Sequence, residues 1–213
     1  RFPYVLGTNG GASFLLLYLL FLCLIGLPVF IAEVFIGSHT KTGPQGAFHF
    51  FGKTKLWKIT GQGVIWTGFI ISSFYSVVAG WLLAYGLDSL TGNFSFPLSK
   101  ESVGIHFETL IASPIRLLLL HFVFMFLSGL ILLGGVQKGI ERSCQWMMPM
   151  LLILLIGLAI RGLTLDGAQE TLQFLFAPDW SKVTSQTILL ALGQAFFTLS
   201  LGQGTMITYG SYI

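Results

Sequence analysis

Charge is what this chain has least of. Only 9% of its 213 residues are Asp, Glu, Lys or Arg, while 54% are hydrophobic and 15% aromatic. A soluble domain carries about 25% charged residues, so this composition cannot clothe a water-facing surface and reads instead as an integral membrane protein. Cysteine is scarce as well. Cys23 and Cys144 lie far apart in apolar segments, which leaves the extramembrane loops no thiol with which to build a disulfide. The chain also lacks a Gly-x-Ser-x-Gly elbow, a Walker-type phosphate loop and a paired His-x-x-x-His, so nothing supports an enzyme. It has no basic patch interleaved with aromatics, and therefore no signal for nucleic acid. Arg1-Phe2-Pro3-Tyr4 has no initiator Met, basic n-region or cleavage site; the expectation is a fragment that starts inside a longer protein, not a signal peptide.

What remains is hydrophobic and regularly divided. After a stub at residues 1–8, five apolar passes are expected at 12–37, 59–87, 117–137, 143–160 and 183–213; a span of the hydrocarbon core needs about 20 residues. The loop 38–58 carries Lys41, Lys53, Lys55 and Lys58 and no acid, and the turn 138–142 adds Lys138 and Arg142. The excess of basic residues places both in the cytoplasm. The loops 88–116 and 161–182 hold Asp88, Glu101, Glu108, Asp166, Glu170 and Asp179 and are placed outside. Gly43 to Phe51 reads as a short amphipathic helix on the inner surface, an anchor in membrane lipid.

The last pass is the odd one. Ser200-Leu201-Gly202-Gln203-Gly204 stands where a straight helix should run. Irregular backbone at membrane depth is tolerated where it is covered by protein or lines a cavity, and its freed N–H and C=O groups can then hold a solute or an ion. The other residues within the passes that could carry chemistry are few, and each has a structural reading beside the functional one. Glu33 is read as a structural acid that satisfies N–H groups of a broken neighbouring helix, in preference to direct ion binding. The Tyr75 hydroxyl needs a partner, which packing or a substrate carboxylate could supply. His121 has no Cys, Asp or Glu at ligand spacing and reads as a hydrogen-bonded interior histidine. On charge alone, 138–142 is a solvated turn.

Arg1-Phe2-Pro3-Tyr4 with Asn9-Gly10-Gly11, Lys138-Gly139-Ile140-Glu141-Arg142, and Gly193-Gln194-Ala195-Phe196-Phe197-Thr198-Leu199-Ser200-Leu201-Gly202 together resemble the neurotransmitter:sodium symporter family, in its bacterial amino-acid transporter branch. The resemblance runs the whole length, from the outer half of the family's first helix through its sixth. It implies an all-α polytopic bundle, part of an inverted-repeat transporter fold with a discontinuous helix near the C-terminus. It also implies sodium-coupled symport of a small amino acid by alternating access across the plasma (inner) membrane. A symporter of another small amine or osmolyte is one alternative, and a receptor or scaffold that has kept the fold without coupling is the other.

Carried onto these residues, the resemblance puts Tyr75 on the substrate carboxylate with Ile71 one turn away in the pocket, and Phe197 over the substrate as a lid. Thr198 offers its hydroxyl and carbonyl to a sodium ion, while Ser200 and Gly202 contact the substrate's amino and carboxyl groups. Arg1 joins Tyr75 and Phe197 in the gate. Tyr18, Gln194 and Thr198 match positions that coordinate chloride in chloride-dependent members, which leaves chloride dependence open. At Gln203 many members carry a large apolar side chain, so a polar or smaller substrate side chain is expected.

Overall fold

The computed structural model describes residues 2–92 and 100–213. Every regular element among them is helical. They divide into two compact units, residues up to Phe69 with Ala159–Ile213, and Ile70–Leu158.

The first unit opens with α1 (Phe2–Thr8) and α2 (Ala12–Phe21), joined through Gly10 and Gly11 at φ 91° and 55°. Gly11 must stay bare, because a Cβ there would lie 2.5 Å from the Phe174 carbonyl oxygen. The apolar pass continues through a π-helical turn, Leu22–Gly26, into α3 (Leu27–Thr40). Pro28 lies just beyond this wide turn, where the helical ladder is already shifted in register and its missing N–H and ring are accommodated. Lys41 ends α3 in the left-handed region, and α4 (Pro44–Gly52) follows where the amphipathic helix was expected. The start of α5 (Lys55–Leu90) lies against it. A Cβ on Gly61 would stand 2.7 Å from the Gln45 Cα.

The same unit is completed by α9 (Ala168–Phe176), α10 (Ser185–Thr198) and α11 (Thr205–Gly210). Asp179 caps the turn before α10, accepting from the Ser181 hydroxyl at 2.5 Å and N–H at 3.1 Å and pairing with Lys182 at 3.2 Å. These contacts, the Ser181 hydroxyl first, hold its carboxyl below the usual carboxylate range. A lowered pKa means the turn is intact above the ordinary carboxylate value and loosens only as pH falls through the lowered one. Protection of the Ser181 amide should therefore fall as pH drops through that lowered value, whereas Asp179→Asn, which has no carboxyl to protonate, should lack this acid-dependent step; hydrogen exchange against pH makes the comparison. Thr184 then starts α10 with a capping box, exchanging bonds with Thr187 at 3.2 Å each way.

Two packings organise this unit. Ala191 and Ala195 of α10 bury against Leu6, Phe14 and Tyr18. Meanwhile α11 crosses α3 backbone to backbone. A Cβ on Gly37 would fall 2.0 Å from the Ile207 carbonyl oxygen, and one on Gly210 would fall 2.4 Å from that of Val34. Such crossings are how membrane helices gain contact where lipid is as apolar as the side chains.

In the second unit the later part of α5 packs with α6 (Lys100–Ile111) and α7 (Pro114–Leu133), and α8 (Arg142–Leu163) begins after a π-helical turn, Val136–Glu141. Two expectations change here. The 138–142 segment is helical and runs directly into α8, because the wide turn needs no loop residues. Asp88 is no loop acid: α5 extends past it to Leu90, and its side chain, 3% exposed, pairs with Arg116 at 2.6 Å and His106 at 3.0 Å. A buried carboxylate is tolerable only when paired in this way. Among the described residues, four helices are long and apolar enough to cross a membrane, Ala12–Thr40, Lys55–Leu90, Pro114–Leu133 and Lys138–Leu163. The fifth expected pass is split between α10 and α11.

Candidate functional site

The split between α10 and α11 is built from backbone conformation. Ser200, Gly202 and Gly204 all take positive φ, 54°, 75° and 73°, at every second position. Each left-handed residue turns the chain out of the helical path, and for Ser200, which has a Cβ, the conformation is costly by roughly 1–2 kcal/mol. Strain of this kind persists only where the surroundings impose it. The last turn closes with Ser200 N–H donating to Phe197 O at 3.1 Å and Leu201 N–H to Phe196 O at 3.0 Å. Beyond it the ladder stops. Among the described residues, the carbonyl oxygens from Thr198 to Gln203 accept no backbone hydrogen bond.

Glu33 holds the break. It is 9% exposed within the apolar α3, and its Oε1 accepts from the Gly202 N–H at 2.8 Å. Its Oε2 is buried and has no hydrogen-bond partner among the described residues. The neighbouring packing keeps the carboxylate in reach. Gly26 leaves room for Leu199, whose Cδ1 would be 2.7 Å from a Cβ there, and Gly204 leaves room for Pro44 and Val64, at 2.5 and 2.7 Å. Helix α4 thus rests its first residue on the end of the break.

Of the residues expected in a site, Phe197, Thr198, Ser200, Gly202 and Gln203 lie in and beside the break. The Gln203 carbonyl oxygen would be 3.4 Å from a Cβ on Gly68. The Thr198 hydroxyl donates to the Gln194 carbonyl at 2.9 Å, and the Gln194 amide reaches that hydroxyl at 3.5 Å. Tyr18 is buried in the cluster packed on the same helix, with Phe2 at 5.1 Å. Among the described residues no hydrogen bond joins it to Gln194 or Thr198. Ile71 and Tyr75 fall one turn apart on α5, in the second unit. Arg1 lies outside the described residues. The buried Nδ1 of His121 has no hydrogen-bond partner among the described residues, so the bond expected for it is not made there at that nitrogen.

Sequence reasoning passed over Gly26, Gly37, Pro44 and Gly210. Their importance is a matter of what approaches them, and nothing in their local sequence records that.

The model of the Sodium:neurotransmitter symporter family matches residues 1–104 and 104–213. An uncharacterized sodium-dependent transporter of Bacillus subtilis, YhdH, is 43% identical over the whole chain, which covers 47% of that relative. A second, from Haemophilus influenzae, is 37% identical over the whole chain and 49% of its own length. Among solved structures, that of MhsT in complex with L-phenylalanine matches all of the chain and 48% of its own, at 48% identity and a TM-score of 0.89. The chain spans about half the length of these relatives.

Proposed function

Because the chain belongs to the Sodium:neurotransmitter symporter family, a family of membrane transporters and not of enzymes, we propose that it serves sodium-coupled symport of a small amino acid by alternating access. The observation that carries this is the row of carbonyl oxygens from Thr198 to Gln203 left, among the described residues, without backbone partners, beside a buried carboxylate that anchors the break. Sodium favours hard oxygen donors, and a broken helix supplies them with few buried charges. MhsT was solved with phenylalanine, which supports an amino acid as the substrate class here.

In this reading the Thr198 hydroxyl and carbonyl contribute to a sodium site. Ser200 and Gly202 meet the substrate's amino and carboxyl groups, and Phe197 closes over it. Tyr75 donates to the carboxylate, with Ile71 beside it and Arg1 in the outer gate. The basic segments 38–58 and 138–142 face the cytoplasm of a cell whose inner membrane holds the protein. Substrate binding by the full-length protein in sodium and in potassium tests the core of this: binding that sodium fails to stimulate would remove the coupling.

Two substitutions test single residues. Tyr75→Phe should weaken substrate binding by about 1–3 kcal/mol, the cost of leaving a buried acceptor short of one bond, while the ring still packs. Equal affinities by calorimetry in saturating sodium would take Tyr75 out of the site. Gln203→Leu should shift preference towards apolar amino acids by about tenfold or more, corresponding to roughly 1–3 kcal/mol, with sodium affinity changed far less. A competition panel that keeps its ranking while sodium dependence disappears would assign Gln203 to coupling instead.

A further inference from the structure

The π-helical turn Val136–Glu141 does more than connect α7 to α8. Between the two helices it leaves a groove of about 510 Å³, walled by Leu130, Ile131, Trp146 and Met147 and lined also by Lys138 and Arg142. Its floor is backbone. A Cβ on Gly139 would lie 2.0 Å from the Ile131 carbonyl oxygen, so the turn is pressed onto the end of α7. Both flanking helices are candidate spans, so the apolar walls belong at hydrocarbon depth and the two cations at its edge.

The charges on that edge are unbalanced. Lys138 and Arg142 are exposed, and neither has an ion-pair partner among the described residues. Glu141 stands between them in sequence and accepts from the Gln145 amide at 3.5 Å, pairing with neither cation among the described residues, so the edge keeps a net positive charge. Two cations four residues apart over an apolar trough match a molecule with an anionic head and a hydrocarbon tail. Arg can grip a phosphate through two N–H groups, and Lys adds a point charge. Basic pockets between membrane helices take anionic headgroups on the same grounds.

We propose that this groove is a binding site for an anionic phospholipid, with its phosphate on Lys138 and Arg142 and an acyl chain along Leu130, Ile131 and Met147 beside the Trp146 ring. Trp146 is 78% exposed and reports on the groove directly. The full-length protein in detergent is titrated with phosphatidylglycerol or phosphatidylcholine brominated on the acyl chain. The Trp146 contribution is read as the difference between wild type and Trp146→Phe. Brominated phosphatidylglycerol should quench it at about tenfold lower mole fraction than the choline lipid, and rising salt should erode the difference. Lys138→Gln with Arg142→Gln should bring the two curves together, whereas Lys41→Gln with Lys53→Gln should leave them apart. The wild-type comparison stands even if the double variant fails to fold. Equal quenching by the two lipids, a preference that survives loss of both cations, or a Trp146 that neither lipid reaches because protein covers it, would each overturn the proposal.

Discussion

Replacing Glu33 by Ala is expected to lower sodium-dependent substrate affinity by about 10- to 100-fold. Its Oε1 is the acceptor for the Gly202 N–H in the middle of the break. Without it that N–H has no partner at a depth where water is scarce. A buried donor stripped of its partner costs about 1–3 kcal/mol, with charged acceptors at the upper end, and each 1.4 kcal/mol is tenfold. The break can relieve that cost by winding back towards helix, which withdraws the carbonyls from Thr198 to Gln203. Glu33→Gln keeps an acceptor oxygen and should fall between Ala and wild type. Binding isotherms in saturating sodium, with thermal unfolding alongside, make the comparison. Wild-type affinity in Glu33→Ala would show that the break holds its shape without the carboxylate.

Gly37→Ala is expected to destabilise the protein by about 3 kcal/mol or more. Adding a Cβ to a helical glycine normally gains up to about 1 kcal/mol through propensity. Here that gain is overwhelmed. The new carbon would stand 2.0 Å from the Ile207 carbonyl oxygen and 3.0 Å from the Ser211 nitrogen, and backbone atoms cannot rotate aside as a side chain does. Overpacking commonly costs about 1–3 kcal/mol, and a clash with backbone belongs at the top of that range or beyond. The helices α3 and α11 must separate, and because α3 also carries Glu33, the contact with Gly202 is lost with them. Gly63→Ala is the control, since a Cβ there meets nothing within 4 Å. Thermal melts of the two variants should diverge widely. A Gly37→Ala protein that melts with wild type would mean that the crossing is looser than these distances state.

The all-α membrane class, the apolar passes and the interruption at Ser200–Gly204 were legible in the sequence because each is written locally. Runs of apolar residues are set by bilayer thickness, and Gly202 and Gly204 mark positive φ. Helix ends were harder to read: α5 runs over Lys55–Leu90 against an expected 59–87, since polar residues at a helix end interrupt hydropathy without interrupting hydrogen bonding. Asp88 shows the consequence, a residue that reads as loop because of its charge and is buried because Arg116 and His106 come to it from later helices.

By itself, then, the sequence determined that this protein lives in a membrane, that its elements are helices, that one of them breaks, and through its motifs which family it resembles. Composition and near-neighbour patterning are enough for each of these, because the bilayer imposes them segment by segment. Sequence reading assigned Glu33 to the N–H groups of a broken helix, but tertiary structure alone decided which of them it meets. It brought Glu33 within 2.8 Å of the Gly202 nitrogen across 169 positions of chain, set Gly37 and Gly210 at a backbone crossing and seated Pro44 against Gly204. Those are distances between segments remote in sequence, and side-chain pattern along one helix does not encode how closely another helix approaches it.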